Sequence, residues 1–403
     1  MFDVKVLQVN NFNYLRGGSD RIFAETCTGL HARGLEVFRF TPEGVGPAAE
    51  DLDSMKPKAI DLDRPALLDY PRYFHNVDAA QKLQKLIDKY DGFDVAHLHI
   101  YHGRISASIL PVLRRNKIPI VHTLHEYKIL CPVYTMHRNN HFCALCATSG
   151  SHWATLHRCK GGSLVKSLAA TLEHEISKKN GTEALVDRYV CISQFQQKLC
   201  EDAGIAKEKL NLIYNFVDHT MFFPDAAPAS ELYFLYYGRI EKIKGIELLI
   251  NVFRRSRHRL KIMGAGAFLP QALDLARGAS NITFHSPESD RLLRQTISSS
   301  FAVVVPSEWQ EPFGLTVIEA KACGVPVIGS NAGAIPELIA EGVDGFIFEA
   351  GNANSLSASI EAMLVADRFT MGKKALNDVR ERFALGRYLD TLVGLFEELV
   401  EVQ

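Results

Sequence analysis

Short runs rich in β-branched residues alternate with stretches of helical periodicity along all 403 residues. No other feature constrains the fold as much, because strands separated by helix-length segments pair in parallel, with the helices covering the sheet faces. The first unit reads as a strand over 4–9, a loop holding Gly17 and Gly18, a helix opened by Ser19 as N-cap and closed by Gly34, and a strand over 36–40. Further strands are predicted at 94–99, 119–124, 188–192 and 210–213. After a Pro/Ala/Ser linker at 224–230, a second series is predicted at 233–237, 260–263, 282–284, 301–305, 325–328 and 345–348. The expected fold class is α/β: two Rossmann-like doubly wound domains, residues 1–222 and 231–385, facing an interdomain crevice. Leu389, Leu392, Leu395, Phe396 and Leu399 recur at helical spacing, so 386–403 should be a terminal helix packed back on the N-terminal domain.

Hydrophobic content of 47% with 23% charged residues is that of a soluble globular chain, and no run of about 18 apolar residues is present. The first residues lack the pattern of a secretory signal, so the chain is expected in the cytoplasm, where the inner face of the cell membrane is one candidate position. The net charge of −1 conceals an asymmetry: residues 101–170 carry nine cations against one anion, Glu126. Such a patch suits phosphate groups or peripheral contact with an anionic membrane, although a solvated face balanced elsewhere explains it equally well. Nucleic acid is not an expected partner, because no aromatic-interleaved basic repeat accompanies the charge.

In open α/β sheets ligands bind beyond the carboxyl ends of the strands, so chemistry is sought in the loops that follow them. The loop Gly238-Arg239-Ile240-Glu241-Lys242-Ile243-Lys244-Gly245 precedes a helix. Arg239 can present a planar fork to a diphosphate and Lys244 a point charge; an ordinary basic loop is the alternative. Gly264, in Met263-Gly264-Ala265-Gly266, lets backbone approach a nucleotide, or simply makes a strand-to-helix turn, since a G-x-G pair without a third glycine is weak. The run 306–320 places Glu311 on a loop and Glu319 one turn into a helix. Between them the amides of Phe313, Gly314 and Leu315 are expected to be free to bind oxygen atoms. Thr316 and Glu319 also fit a capping box, which would make Glu319 structural.

These motifs resemble the retaining glycosyltransferases of family 4, which have the GT-B fold. The resemblance rests on two glutamates separated by seven residues, Glu311 and Glu319, around Pro-Phe-Gly-Leu-Thr-Val-Ile; on Gly238, Arg239, Lys244 and Gly245; on Asn215-Phe216-Val217-Asp218; and on Gly17-Gly18. It implies a nucleotide-diphosphate sugar donor held by the C-terminal half and a sugar or lipid-linked acceptor held by the N-terminal half. Arg239 and Lys244 would bind the leaving diphosphate, Glu319 the ribose hydroxyls, and Glu311 with the amides near Phe313 the transferred sugar. It further implies transfer with retention and no catalytic metal, with cell-surface polysaccharide or glycolipid synthesis as the expected setting. A nucleotide-sugar 2-epimerase and a non-catalytic nucleotide-sugar sensor are the alternatives. Phe216 departs from the glycine commoner in the family and puts the flexibility of that hinge in question.

By the same resemblance His125 is placed beside the sugar, whereas a lone histidine at a strand end is otherwise more often structural. His97, His99 and His102 are expected to line the acceptor pocket. Ser193 and Ser307 have no activating context. The insertion 127–162 holds Cys131, Cys143, Cys146 and Cys159, and a C-x2-C knuckle with two flanking cysteines in a cytosolic chain favours structural zinc over disulfides. Unligated thiols on an acceptor loop are the alternative.

Overall fold

The computed structural model describes residues 4–43, 55–60, 69–139, 141–225, 232–287 and 289–401. Part of the predicted linker, 226–230, lies outside them. The N-terminal sheet consists of β1 (Lys5–Val9), β2 (Glu36–Phe40), β3 (Val95–Leu98), β4 (Ile120–Leu124), β5 (Arg188–Cys191) and β6 (Leu210–Leu212), in the spatial order β2-β1-β3-β4-β5-β6. The C-terminal sheet consists of β7 (Phe234–Tyr237), β8 (Leu260–Met263), β9 (Ile282–His285), β10 (Ala302–Val305), β11 (Val327–Ser330) and β12 (Gly345–Phe348), ordered β9-β8-β7-β10-β11-β12. All pairings within both sheets are parallel. These are the two Rossmann-like domains expected from the alternation.

Both orders reverse direction once, between β1 and β3 in the first sheet and between β7 and β10 in the second. At such a switch point neighbouring loops diverge to opposite faces and leave a crevice. The loops that follow these four strands carry Gly17 and Gly18, His99 and His102, Arg239 and Lys244, and Glu311, so the topology itself gathers the motifs.

The inner strands of each sheet are buried on both faces, which explains their largely apolar character. Six helices matter for the site: α1 (Gly18–Ala32), α2 (Leu164–Lys179), α3 (Gln194–Asp202), α4 (Ile246–Phe253), α5 (Leu315–Ala322) and α6 (Leu385–Glu401). The N-cap of α1 is Gly17 in extended conformation, not Ser19, so the helix starts two residues earlier than the sequence signal indicated. Helix α6 lays Leu389, Leu392, Leu395 and Phe396 against Val6, Val95, Val121 and Val190 of the N-terminal sheet. Burial of such side chains contributes about 1.5–3 kcal/mol each. Phe216 joins this cluster with its ring 4.5 Å from that of Tyr388, so the crossover between domains is packed where a glycine would be loose. Among the described residues no helix is long and apolar enough to cross a membrane.

Candidate active site

The loop after β7 is held by close backbone approaches that glycine makes available. Gly245 has φ +72°, and a Cβ there would lie 1.8 Å from the Pro306 carbonyl oxygen, so only glycine lets the loops after β7 and β10 touch. Across the contact the Ile243 carbonyl accepts from the amides of Glu308 and Trp309, both at 3.0 Å. Lys244 is thereby aimed at the second loop, with Nζ 2.6 Å from Glu311 Oε1 and 4.6 Å from the centre of the Trp309 ring. Arg239 does not join it. Its guanidinium reaches Glu241 Oε1 at 2.9 Å and is largely exposed, so the two cations expected to converge are paired with different carboxylates. Gly264 also differs from expectation: a Cβ there would sit 1.9 Å from the Gly238 carbonyl oxygen, so the space it frees is taken by this chain's own backbone rather than left for a nucleotide.

Glu311 is fixed through its main chain. Its carbonyl accepts from Ala334 N at 2.9 Å, and the neighbouring Gln310 side chain accepts from Gly333 N at 2.6 Å. A Cβ on Gly333, at φ +62°, would collide with the Glu311 backbone at 2.3–2.4 Å. Gly314 caps α5 at φ +132°, and the capping box read from Thr316 and Glu319 is not formed, because α5 has no side-chain cap. The amides of Phe313, Gly314 and Leu315 donate to no acceptor among the described residues, as the first amides of a helix do. Phe313 itself is buried against Tyr214 and Phe383 and can offer only its backbone.

Glu319 lies deeper, where Tyr237 Oη is 3.1 Å from its Oε2. Burial raises its pKa, and Arg21 and the Tyr237 hydroxyl oppose the rise. Arg21, on the first turn of α1, crosses the crevice to Asp290 at 2.8 Å. Beside it burial pushes the Glu25 carboxyl up to about 7. The N-termini of α1 and α5 abut: a Cβ on Gly18 would lie 2.3 Å from Leu315 Cδ1. Gly17, by contrast, faces open space. Two helix N-termini and their unpaired amides thus meet at one point of the crevice, an arrangement that favours anions.

The opposite wall is a histidine cluster at the ends of β3 and β4. His125 Nε2 lies 2.8 Å from His99 Nδ1, and His99 Nε2 lies 3.1 Å from Gln8 Oε1. Burial lowers the His125 pKa to about 4 and holds His99 well below its ordinary value, so both are neutral near pH 7. His99, His102, His122 and His125 line a small cavity with Glu126 and Lys128, whereas His97 bonds Thr123 and packs on Phe396, away from it. Behind the cavity Lys128 Nζ and Glu173 Oε2 are 2.5 Å apart, with His102 Nδ1 at 3.4 Å from the other oxygen. Burial pushes Glu173 up, but Lys128 and His102 outweigh it and hold the carboxyl below its usual range.

Comparison with known proteins decides the family. Residues 218–378 match the family model described as glycosyl transferases group 1, and residues 16–220 match that of glycosyltransferase family 4. The chain belongs to the family 4 glycosyltransferases. D-inositol 3-phosphate glycosyltransferase from Thermobifida fusca is 23% identical over 389 residues, covering 88% of this chain and 82% of that one. Sucrose-phosphate synthase from Thermosynechococcus elongatus superimposes with a TM-score of 0.73 at 18% identity, covering 99% and 100% of the two chains. Anabaena HepE in complex with UDP and glucose gives 0.65 at 17% identity, covering 98% and 99%. These structures share the GT-B fold seen here.

In this glycosyltransferase, contacts between the domains add residues that local motifs did not single out. Trp309 donates from Nε1 to the Thr135 carbonyl at 2.6 Å and is buried with the N-terminal core, while Tyr127 Oη lies 3.0 Å from the Gln310 carbonyl. The start of the insertion therefore grips the loop that carries Glu311. Ser193 caps α3 and donates to the Pro312 carbonyl at 2.7 Å. Glu337 of the C-terminal domain accepts from the first amides of α3, Gln194 at 2.8 Å and Phe195 at 2.6 Å. A Ser followed by polar residues was a readable helix start; that a glutamate 143 positions away would cover it was not.

The four insertion cysteines, for which structural zinc is expected, lie near one another. Among the described residues no three of His, Cys, Asp and Glu are placed to hold a metal ion. Cys131 is drawn into the apolar core of the N-terminal domain, whereas Cys143 and Cys146 stay half-buried at its edge. Burial pushes the Cys146 thiol up to about 12, with the other three cysteines adding to the rise, so the four lie close in space.

Proposed function

We propose that this glycosyltransferase moves a sugar, with retention of anomeric configuration, from a nucleoside-diphosphate sugar to a hydroxyl of a membrane-carried polysaccharide or glycolipid precursor. The observation that carries the reading is the Lys244–Glu311 pair at 2.6 Å, set at the switch point beside the abutting N-termini of α1 and α5. A diphosphate anion suits the cation and the free amides; the carboxylate suits the positive charge that develops on a departing glycosyl group. The bond between the anomeric carbon and the phosphate oxygen breaks, its electron pair leaving with the diphosphate. The acceptor oxygen bonds to the same face of that carbon, and its proton passes to the departing phosphate oxygen.

Lys244 stabilises the leaving group, and Arg239, exposed and on the same loop, turns from Glu241 to the diphosphate when the donor arrives. Glu319 accepts from the ribose hydroxyls. His125, neutral and bonded to His99, orients the sugar from the opposite wall. The likeness to HepE with UDP and glucose makes a uridine-diphosphate hexose the first donor to try. The test is a thermal-shift screen against nucleoside-diphosphate sugars, in which a ligand at 100 times its Kd adds about 2.7 kcal/mol of stability. The anomeric configuration of the product is then read by NMR. No stabilisation by any donor would overturn the donor assignment, and an inverted product the stereochemistry.

A further inference from the structure

Helix α2 is inside out. Its buried face consists of Ser167, Ala170, Thr171, Glu173, His174 and Ser177, polar or small residues packed around the Lys128–Glu173–His102 group. Its outer face carries Leu164, Val165, Leu168 and Leu172, and the neighbouring helix 152–156 adds Leu156. These five side chains are between 46% and 75% exposed. Residues 164, 168 and 172 succeed one another at i, i+4 and i+8, so they form one ridge along the helix. A helix on a globular surface ordinarily shows the opposite polarity, and a continuous exposed apolar ridge marks a surface that is covered in use.

Charge identifies what covers it. Arg158, Lys166 and Lys179 are exposed around the ridge and Lys160 is partly exposed. The nearby anions are engaged: Glu173 is buried with Lys128, and Glu175 accepts from Ser151 Oγ at 2.5 Å. A second copy related by a two-fold axis would set these cations against themselves, because such an interface opposes the same patch to itself. An anionic bilayer takes both features at once, with leucines in the acyl boundary and cations among the headgroups.

We infer that the outer face of α2, with Leu156, docks the N-terminal domain on an anionic lipid surface. The inference rests on the reading that the acceptor is carried by a membrane, and it names the surface that would bring the acceptor cavity to it. The full chain is floated with vesicles of phosphatidylcholine alone and with about 30% phosphatidylglycerol, at low and high salt. The wild type should float with the anionic vesicles and keep part of its binding at high salt. Leu164→Gln/Leu168→Gln/Leu172→Gln should lower the partition coefficient roughly tenfold or more and abolish the salt-resistant part. Lys160→Glu/Lys166→Glu should lower binding at low salt.

All three changed leucines are exposed, and an unchanged thermal midpoint verifies the fold of the variant. Equal flotation of wild type and leucine variant, or none by the wild type, overturns the inference. So does a lipid-free dimer that the leucine variant dissociates, which would make a second copy the occupant. Donor binding by thermal shift without vesicles separates the two readings. Donor binding with no vesicle association overturns the docking surface alone, and vesicle association with no donor binding overturns the donor assignment alone.

Discussion

Lys244 Nζ and Glu311 Oε1 lie 2.6 Å apart, and both side chains are more than four-fifths buried. The cation and the carboxylate therefore satisfy each other. On the proposed function, a donor separates them or shares them between its diphosphate and its sugar. Each partner's role in turnover is in this way coupled to a role in stability, which is not so for Arg239 on the same loop.

Lys244→Ala should lower turnover by about one to two decades, the worth of a charge-assisted contact realised at the transition state. It should also destabilise the protein by about 3 kcal/mol, because a largely buried carboxylate is left unpaired. Lys244→Ala/Glu311→Gln should recover part of that loss. Arg239→Ala should cost turnover comparably and leave the thermal midpoint almost unmoved, since its exposed pair with Glu241 is worth about 0–1 kcal/mol. Unfolding curves and steady-state rates on the four proteins check the contrast; near-normal turnover in Arg239→Ala would remove it from the diphosphate site.

The two glutamates should separate kinetically. Glu311→Gln keeps shape and loses charge beside a developing cation, so it should lower kcat more than donor affinity. Glu319→Gln should act mainly through donor affinity. If Glu311→Gln raised only KM, the division of roles would be wrong.

The strands were legible because parallel strands in the middle of a sheet are buried on both faces and so run largely apolar. Spacing alone put Lys244 and Glu311 in loops that follow strands; the sheet order makes those strands neighbours. What spacing could not show is which charge faces which. Arg239 turning to Glu241 is a choice made within one loop, whereas Arg21 reaching Asp290 and Trp309 entering the opposite domain depend on how the two domains meet. Helix α2 carries the same lesson. Its two faces are plain in the sequence, but which one is buried is decided by Lys128 and His102, which belong to other elements.

Trp309 should prove a positioning residue. Its indole joins the insertion to the loop of Glu311 and lies under Lys244. Trp309→Phe keeps most of the packing and loses the bond to the Thr135 carbonyl. It should reduce kcat several-fold, with donor KM changed less, and should increase proteolytic cleavage of the insertion. An unchanged kcat with accelerated cleavage would confine Trp309 to anchoring the insertion.

His125 and Glu126 are neighbours whose burial acts in opposite pH windows. Burial lowers His125 to about 4, so between there and its ordinary value near 6.5 the unfolded chain binds a proton that the folded chain does not. Stability from this group is complete above about pH 7 and is lost as pH falls. Burial raises Glu126 to about 7 from 4.5, so the folded chain holds the extra proton. Its contribution is complete below about pH 4.5 and is lost as pH rises through 7. Each shift corresponds to about 3 kcal/mol at full extent. Relative to wild type, Glu126→Gln should therefore gain up to about that amount between pH 5 and pH 8, the gain appearing at the higher pH. His125→Gln should show the mirror image, its relative stability rising as pH is lowered from 8 to 5. The difference between the two pH values is the quantity to read, because loss of the His99 hydrogen bond shifts both equally. Parallel unfolding curves for wild type and Glu126→Gln at both pH values would mean that Glu126 is solvated and ionised throughout, which would leave the histidine-lined cavity with a fixed negative charge.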